Sequence, residues 1–405
     1  MYERPERLLT AAQVASRLGV KIDTVYAYVS RGVLTRRDHG DKESRFAAAE
    51  VEKLAARGRR TGAASKPQPL LIASQLTEIS DDGVFYRGTS AIELACSQSF
   101  ERTAEWLWGV EPTASAAFTA PKAAVALARS VQNGMPEEAL PLERLRVIAA
   151  VLGSADALRY ETSHAPVVAS ARALIAGMIE SLPRAGDKPE PGTPLSARLW
   201  ARLTSMPPTA ARLRALDTAM GLCADHALSP STLAVRIAAS QRADPYSLIQ
   251  TGLGALGGAL HGAASLSAEE LLREVEAGGD PSQAIGARLR RGERIAGFGH
   301  RLHVRGDPRA IALLNAVADA FGTRKKPSPA ERVREIMRQR GLPAPNIDFG
   351  LAALARAADM RAGASEAIMA VARSAGWIAH ALEEYAQPSE FPWRALYVGP
   401  EHAAT

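Results

Sequence analysis

Apolar positions in this chain recur mainly at three- and four-residue spacing, and β-branched alternation is scarce, so the pattern predicts a body built almost wholly of helices. Proline and glycine punctuate it. Pro121 opens and Gly134 closes one predicted helix, and Pro141 and Gly153 bracket another. Further helical patterns cover Val167–Leu182, Thr209–Ala227, Glu331–Arg340 and Ser365–Gln387, while the insert Pro183–Pro194 reads as a surface loop. The first sixty residues differ. There Thr10 caps a helix over Ala11–Leu18, Gly19 turns the chain, and Lys21–Arg31 forms a second amphipathic helix ended by Gly32. A charged stretch around Gly40 then reads as a small β-wing before a third helix near Ala47–Ala56. Small residues, charges and two prolines without apolar periodicity over residues 58–69 have linker composition. Ahead of the first large helix, the stretch around Asp82 reads as a turn and short strand.

With 405 residues, 47% hydrophobic and 23% charged, the chain can bury two or three domains and is neither disordered nor low in complexity. Its longest weakly polar run, Leu248–Ala264, is interrupted by Gln250 and His261, so no transmembrane span is expected. The opening residues lack an apolar signal core, and only Cys96 and Cys223 occur; both facts place the expected protein in a reducing cytoplasm. Net charge is +6, and residues 1–62 hold 13 Lys or Arg against 8 Asp or Glu. A basic module on a near-neutral body points to a polyanionic partner for the module, or to a solvated face.

Candidate chemistry lies in the C-terminal half. His261 and His300 both sit beside glycines, where bare backbone admits a ligand or a strained turn. Helix packing accounts equally for the glycines around His261, and a plain loop for those around His300. Asp348 follows two prolines and is read either as a helix cap or as a base. Arg309 follows Asp-Pro at a helix start, where a merely exposed side chain is the other reading. Arg373 stands among Ala, Val and Trp, and a buried guanidinium needs an anionic partner, so it reads as a carboxylate clamp. Arginines together with histidines imply a polycarboxylate ligand, and an aspartate beside histidines suits proton removal next to a carbonyl.

Six segments carry a resemblance: ADHALSPST with His226, GALHGAAS with His261, GFGHRLHVRGDPRA with His300 and Arg309, NIDF with Asp348, ARSAGWIAH with Arg373, and WRALYVG with Arg394. In this order the chain from about Asp82 onward resembles citrate synthase. The resemblance implies an all-α fold with a large helical domain, residues 71–261 and 350–405, around a small one, residues 262–349, after a module over 1–60 and a linker over 61–70. It implies an acyltransferase that condenses acetyl-CoA, or a short acyl-CoA such as propionyl-CoA, with oxaloacetate and water. Asp348 would take the methyl proton, His261 would donate to the thioester oxygen and His300 to the ketone. His226, Arg309 and Arg373 would hold oxaloacetate, with Arg394 reaching over from the neighbouring subunit of a homodimer. No tightly bound cofactor and no metal site is implied. CoA would lie on the backbone of Arg294, Ile295, Ala296, Gly297, Phe298 and Gly299, its phosphates met by Arg305, Arg301 or the run Arg324, Lys325, Lys326.

Departures from that pattern are visible. Ala227, Leu228, Ser229 and Pro230 stand where many bacterial members carry Glu-Leu-Asn-Ala, and Ala263 and Ser265 replace a glycine and an asparagine. Gly350–Ala352 replaces a more polar run, and Val304 takes a position where a basic residue is common. The first module resembles a winged helix-turn-helix of the mercury-resistance-regulator or excisionase type, with Lys21, Thr24, Tyr28 and Arg31 facing DNA and Arg36, Arg37, Lys42 and Arg45 meeting phosphates. Asp23 would oppose that contact, and a vestigial domain used for dimer contacts is the other reading. A second function follows for the whole chain: a DNA-binding regulator whose citrate-synthase-like body senses a di- or tricarboxylate or an acyl-CoA.

Overall fold

The computed structural model describes residues 8–37, 44–48, 50–51, 54, 72–80, 83–111, 116–190, 192–259, 261–304, 306–322 and 327–387. Its contacts divide the chain into two compact units, Met1–Ala73 and Ser74–Thr405. The expected linker and the centre of the expected wing lie outside the described residues.

In the first unit, β1 (Leu8–Thr10) leads into α1 (Ala11–Leu18) and α2 (Ile22–Ser30), and β2 (Arg36–Arg37) and β3 (Arg45–Ala47) complete a three-stranded antiparallel sheet in the order β1-β3-β2. Thr10 and Gln13 form a reciprocal capping box, and Gly19 closes α1 at φ 65°, a left-handed conformation that costs glycine little. Val14, Val25, Leu34, Phe46 and Val51 make its small core. Helical backbone resumes at Ala48, Glu50, Val51 and Leu54, and the Glu50 carboxylate accepts from the Thr35 amide and hydroxyl.

The second unit starts with an antiparallel meander, β4 (Thr77–Ser80), β5 (Gly83–Tyr86) and β6 (Thr89–Ser90), with Thr77 opposite Tyr86. Helices follow: α3 (Ala91–Ser97), α4 (Phe100–Trp108), α5 (Lys122–Val131), α6 (Pro141–Ser154), α7 (His164–Ser181), α8 (Leu195–Leu203), α9 (Ala210–Cys223), α10 (Pro230–Ser240), α11 (Pro245–Leu256), α12 (Ala263–Glu276), α13 (Pro281–Arg290), α14 (Pro308–Phe321), α15 (Pro329–Gln339), α16 (Ile347–Ala357) and α17 (Ala364–Tyr385). Five of them open on a side-chain cap followed by proline: Ser229-Pro230, Asp244-Pro245, Asp280-Pro281, Asp307-Pro308 and Ser328-Pro329. The cap satisfies a free N–H, and proline has none to satisfy. The helix expected to run to Ala227 stops at Cys223. Beyond it the Asp225 carboxylate takes the Ala227 N–H at 3.0 Å, and Ala227 adopts φ 49°. Similarly, the helix opened by Pro121 ends at Val131 and tightens into a 3₁₀ turn over Gln132–Gly134.

One large hydrophobic core is assembled around α17, a helix buried on all sides and hence central. A second, smaller core joins Ala268, Leu271, Ile285, Val333, Met337 and Phe349 from α12, α13, α15 and α16. None of the described helices is long and apolar enough to cross a membrane. Close packing against α17 depends on Gly252 of α11, where a Cβ would stand 2.6 Å from the Trp377 ring. Replacing Gly252 by Ala should therefore overpack this contact and destabilise the protein by about 1–3 kcal/mol, read as a lowered urea midpoint with an unchanged m-value.

Candidate active site

The turn between α9 and α10 carries His226 and is fixed from behind. Asp225 is fully buried; its carboxylate accepts from Thr77 Oγ1 at 2.5 Å and from the Ala227 amide, while Tyr86 donates its hydroxyl to the Asp225 carbonyl at 2.9 Å. Burial alone would raise the Asp225 pKa, but His380, Arg373 and Thr77 together hold it below the usual carboxylate range. His380 lies 3.4 Å from Asp225 Oδ1, and its Nδ1 faces Arg236 Nη1 at 2.8 Å. Arginine donates and does not accept, so His380 Nδ1 is the acceptor and its proton sits on Nε2, toward Asp225. Glu384 and Glu383 in turn pair with Arg236 at 2.5 and 2.7 Å. Gly376 permits this approach, since a Cβ there would fall 2.4 Å from Asp225 Oδ1.

His300 is positioned by a second set of bonds. Gly297 and Gly299 both have positive φ, 81° and 76°, and a Cβ on Gly297 would sit 2.9 Å from that of Phe349. The segment zips onto the start of α16: Gly299 N donates to Ala344 O, Asn346 N to Gly297 O and Asn346 Nδ2 to Gly299 O. That pairing brings the His300 loop beside Asp348. His300 Nδ1 accepts the amides of Leu302 and His303 at 3.1 and 3.2 Å, so in the neutral ring Nε2 carries the proton. Burial, then Arg309, pushes its pKa down to about 4.

Asp348 is not the helix cap. Asn346 takes that role, its Oδ1 accepting the Asp348 amide at 3.0 Å, which leaves the carboxylate of Asp348 free of capping. Ser265 donates to Asp348 Oδ1 at 2.6 Å. Burial raises the Asp348 pKa, while Ser265, Arg309 and Arg373 pull against it. Opposite, Ser231 Oγ contacts His261 Nε2 at 2.9 Å; with serine donating, Nδ1 of His261 holds the ring proton. The glycine after His261 is required by packing: a Cβ on Gly262 would meet Leu256 O at 2.5 Å. Burial and then Arg373 push the His261 pKa down to about 4, and His226 is lowered far below its ordinary value, first by burial and then by Arg309 and Arg373.

Arg309 is 1% exposed, which removes the alternative of a side chain merely in water. Asp307 grips it through Nε and Nη2 at 3.0 and 2.9 Å and accepts the Ile347 amide as well. Nη1 of Arg309 is buried without a hydrogen-bond partner. Arg373 is 3% exposed and donates Nε to Cys223 O at 2.8 Å, and among the described residues no carboxylate pairs with it. Two buried guanidiniums with unfilled donors thus converge with His226, His261, His300 and Asp348. Arg305, Arg324, Lys325, Lys326 and Arg394 lie outside the described residues. In the segment expected to hold CoA, Arg294 is exposed, Ile295 is buried in the smaller core, and the carbonyls of Gly297 and Gly299 are already engaged by Asn346.

Several site residues escaped the sequence reading. His303 is buried, with Nε2 3.1 Å from His226 Nε2, and the rings of His226, His300 and His303 have centroids 4.8–5.3 Å apart. Only its place three residues after His300 hinted at it. Asp307 was read as part of a helix start and Ser265 as a departure, and Ser231 drew no reading of its own. Among the described residues, no group of three or more His, Cys, Asp or Glu side chains is arranged to hold a metal ion.

These features define a class: a helical protein in which a buried carboxylate and neutral imidazoles lie beside two buried guanidiniums. The family model described as citrate synthase, C-terminal domain, matches residues 70–394. Citrate synthase of Haloferax volcanii is 30% identical over 357 residues, covering 82% of this chain and 94% of that protein. The citrate/2-methylcitrate synthase of Bacillus subtilis is 29% identical, over 66% of this chain and 75% of that one. Among solved structures, citrate synthase of Thermotoga maritima superposes with a TM-score of 0.66 at 22% identity, covering 84% of this chain and 96% of that chain. The Thermoplasma acidophilum enzyme, solved as a ternary complex with carboxymethyl coenzyme A and oxaloacetate, gives 0.66 at 23% identity over 84% and 96%. The chain belongs to the citrate synthase family, a family of acyltransferases.

A histidine with a depressed pKa stays neutral in the fold, while the unfolded chain takes up its proton near pH 6.5. His300 therefore destabilises the fold as pH falls from about 6.5 toward about 4. The stability of the parent relative to a His300→Asn variant should accordingly shrink between pH 7 and pH 5, measured by urea unfolding of both proteins at each pH.

Proposed function

We propose that this chain condenses an acyl-CoA with oxaloacetate and water to give citrate, or its 2-methyl homologue, and free CoA. The observation that carries the reading is the convergence of a base, two neutral imidazole donors and two buried guanidiniums, one with an unpartnered Nη1 and one with no paired carboxylate. The guanidiniums and His226 hold the two carboxylates of oxaloacetate. Asp348, held at Oδ1 by Ser265, uses Oδ2 to take a proton from the carbon next to the thioester. His261 donates Nδ1–H to the thioester oxygen, where enolate charge develops, and the enol carbon attacks the ketone of oxaloacetate. His300 donates Nε2–H to the ketone oxygen as it becomes an alkoxide. Water then cleaves the thioester and releases CoA. In this reading Arg394 of the partner subunit completes the dicarboxylate site of a homodimer, and the protein works in the cytoplasm. Both acetyl-CoA and propionyl-CoA fit the chemistry; of the departures, Ser265 contacts Asp348, whereas Leu351 and Ala352 lie in the two hydrophobic cores.

A second reading concerns the first unit, as a winged helix-turn-helix that binds duplex DNA while the body senses a carboxylate or acyl-CoA. Exposed Lys21 and Arg31 at the two ends of α2, with exposed Arg36 and Arg37 on β2, favour it. Thr24 and Tyr28 are poor candidates for that contact, because both are partly covered and Tyr28 packs on the small core; Tyr26, 48% exposed, is the aromatic that faces out.

Release of CoA, followed with a thiol reagent after mixing protein, oxaloacetate and acetyl- or propionyl-CoA, should fall by about 100- to 10,000-fold in Asp348→Ala. Absence of release from folded parent protein with either donor would remove the enzyme reading. Fluorescence anisotropy with labelled duplex DNA should show salt-dependent binding weakened by Arg31→Ala and Arg36→Ala if the first unit contacts phosphates; binding indifferent to both changes rules that surface out.

A further inference from the structure

Arginines gather where α7 ends, and the acceptors they use there are mostly backbone carbonyls. The Glu180 carbonyl accepts Nε and Nη2 of Arg129 at 3.1 and 2.7 Å, and the Leu182 carbonyl accepts Nη1 of Arg202 at 2.9 Å. Two backbone amides, Ala185 and Gly186, donate to Ala201 O at 3.0 Å, which docks the segment carrying Arg184 against α8. On the other side, the Arg361 amide donates to Leu203 O at 2.9 Å, next in sequence to Arg202. Four guanidinium-bearing residues thus meet at the ends of α7 and α8.

Their charge is not balanced within the fold. Arg202 is only 7% exposed, its Nε is buried without a partner, and no described carboxylate pairs with it. Burial, then Arg129 and Arg184, presses its pKa down to about 10, and Arg361 adds to the repulsion. Glu180 offsets it in part, and Arg198 already engages that carboxylate at 2.8 Å. Each helix end supplies about half a negative charge, far less than four guanidiniums carry. A buried cation among like charges is costly unless an anion joins it. Arg129 and Arg184 are exposed and Arg361 is half-buried, so a ligand can reach the cluster from solvent.

We propose that Arg129, Arg184, Arg202 and Arg361 form a binding site for a phosphoanhydride group, sharing no residue with the candidate active site. Guanidinium forks match phosphate oxygens in pairs, and two linked phosphates carry the several charges that a single carboxylate lacks.

The test uses the full chain and pyrophosphate as probe, with thermal unfolding read against sodium chloride at matched ionic strength. At a hundredfold excess over Kd, a rise in Tm of about 4 °C is expected. Arg184 makes no hydrogen bond through its side chain among the described residues, so Arg184→Gln removes charge without removing a bond of the fold; it should weaken the pyrophosphate effect, and Arg129→Gln/Arg184→Gln should abolish it. Oxaloacetate should stabilise these variants as it does the parent. ADP and inorganic phosphate run in parallel distinguish the sources: a response to ADP as large as that to pyrophosphate assigns the site to a nucleotide, and a response to the inorganic ions alone assigns it to free phosphates. A pyrophosphate effect no greater than that of sodium chloride, or one retained in the double variant, overturns the proposal.

Discussion

The buried carboxylate of Asp307 is the constraint on which the site rests. It caps α14, grips Arg309 with both oxygens and accepts the Ile347 amide one residue before Asp348. One side chain thereby ties the guanidinium, the loop that follows His300 and the helix that carries Asp348. The desolvation of these charges is tolerable because each lone pair of Asp307 meets a donor. Without that carboxylate, Arg309 would be an uncompensated cation beside Arg373, and the first turn of α16 would lose its anchor.

Around this clamp the pocket is made by apposing segments far apart in the chain. The His226 turn is backed by α17, the His300 loop zips onto residues 344–346, and Ser231 and Ser265 reach His261 and Asp348 from the first turns of α10 and α12. Glycine is what lets backbones come this close, at Gly376 against Asp225 and at Gly297 against Phe349. Within this pocket Arg309 Nη1 is a buried donor that the fold itself leaves without a partner.

Much of this was legible before any coordinates. Ser-Pro and Asp-Pro pairs marked helix starts because capping and proline geometry are local, and the glycine-flanked His300 with its Asp-Pro-Arg carried the family resemblance. Contacts that close over long separations were not. His303 meets His226 across 77 positions, and no local pattern tells a buried imidazole partner from a loop histidine. Asp348 was ambiguous for a different reason: cap and base ask for the same residue type at the same end of a helix, and only the position of Asn346 two residues earlier rules out the cap. For Arg309 an exposed place stayed open because the first turn of a helix is usually exposed; its burial comes from packing of α14 against α9 and α16.

The pairing of Arg236 with His380 reaches further than its place behind the pocket suggests. A guanidinium stays protonated across the working range of any enzyme, so the imidazole it faces is held in one tautomer, and Asp225 always faces the N–H end. The turn bearing His226 is therefore built against a dipole that cannot reverse. Solvent protons can come and go at the pocket mouth while the wall behind it keeps a constant polarity.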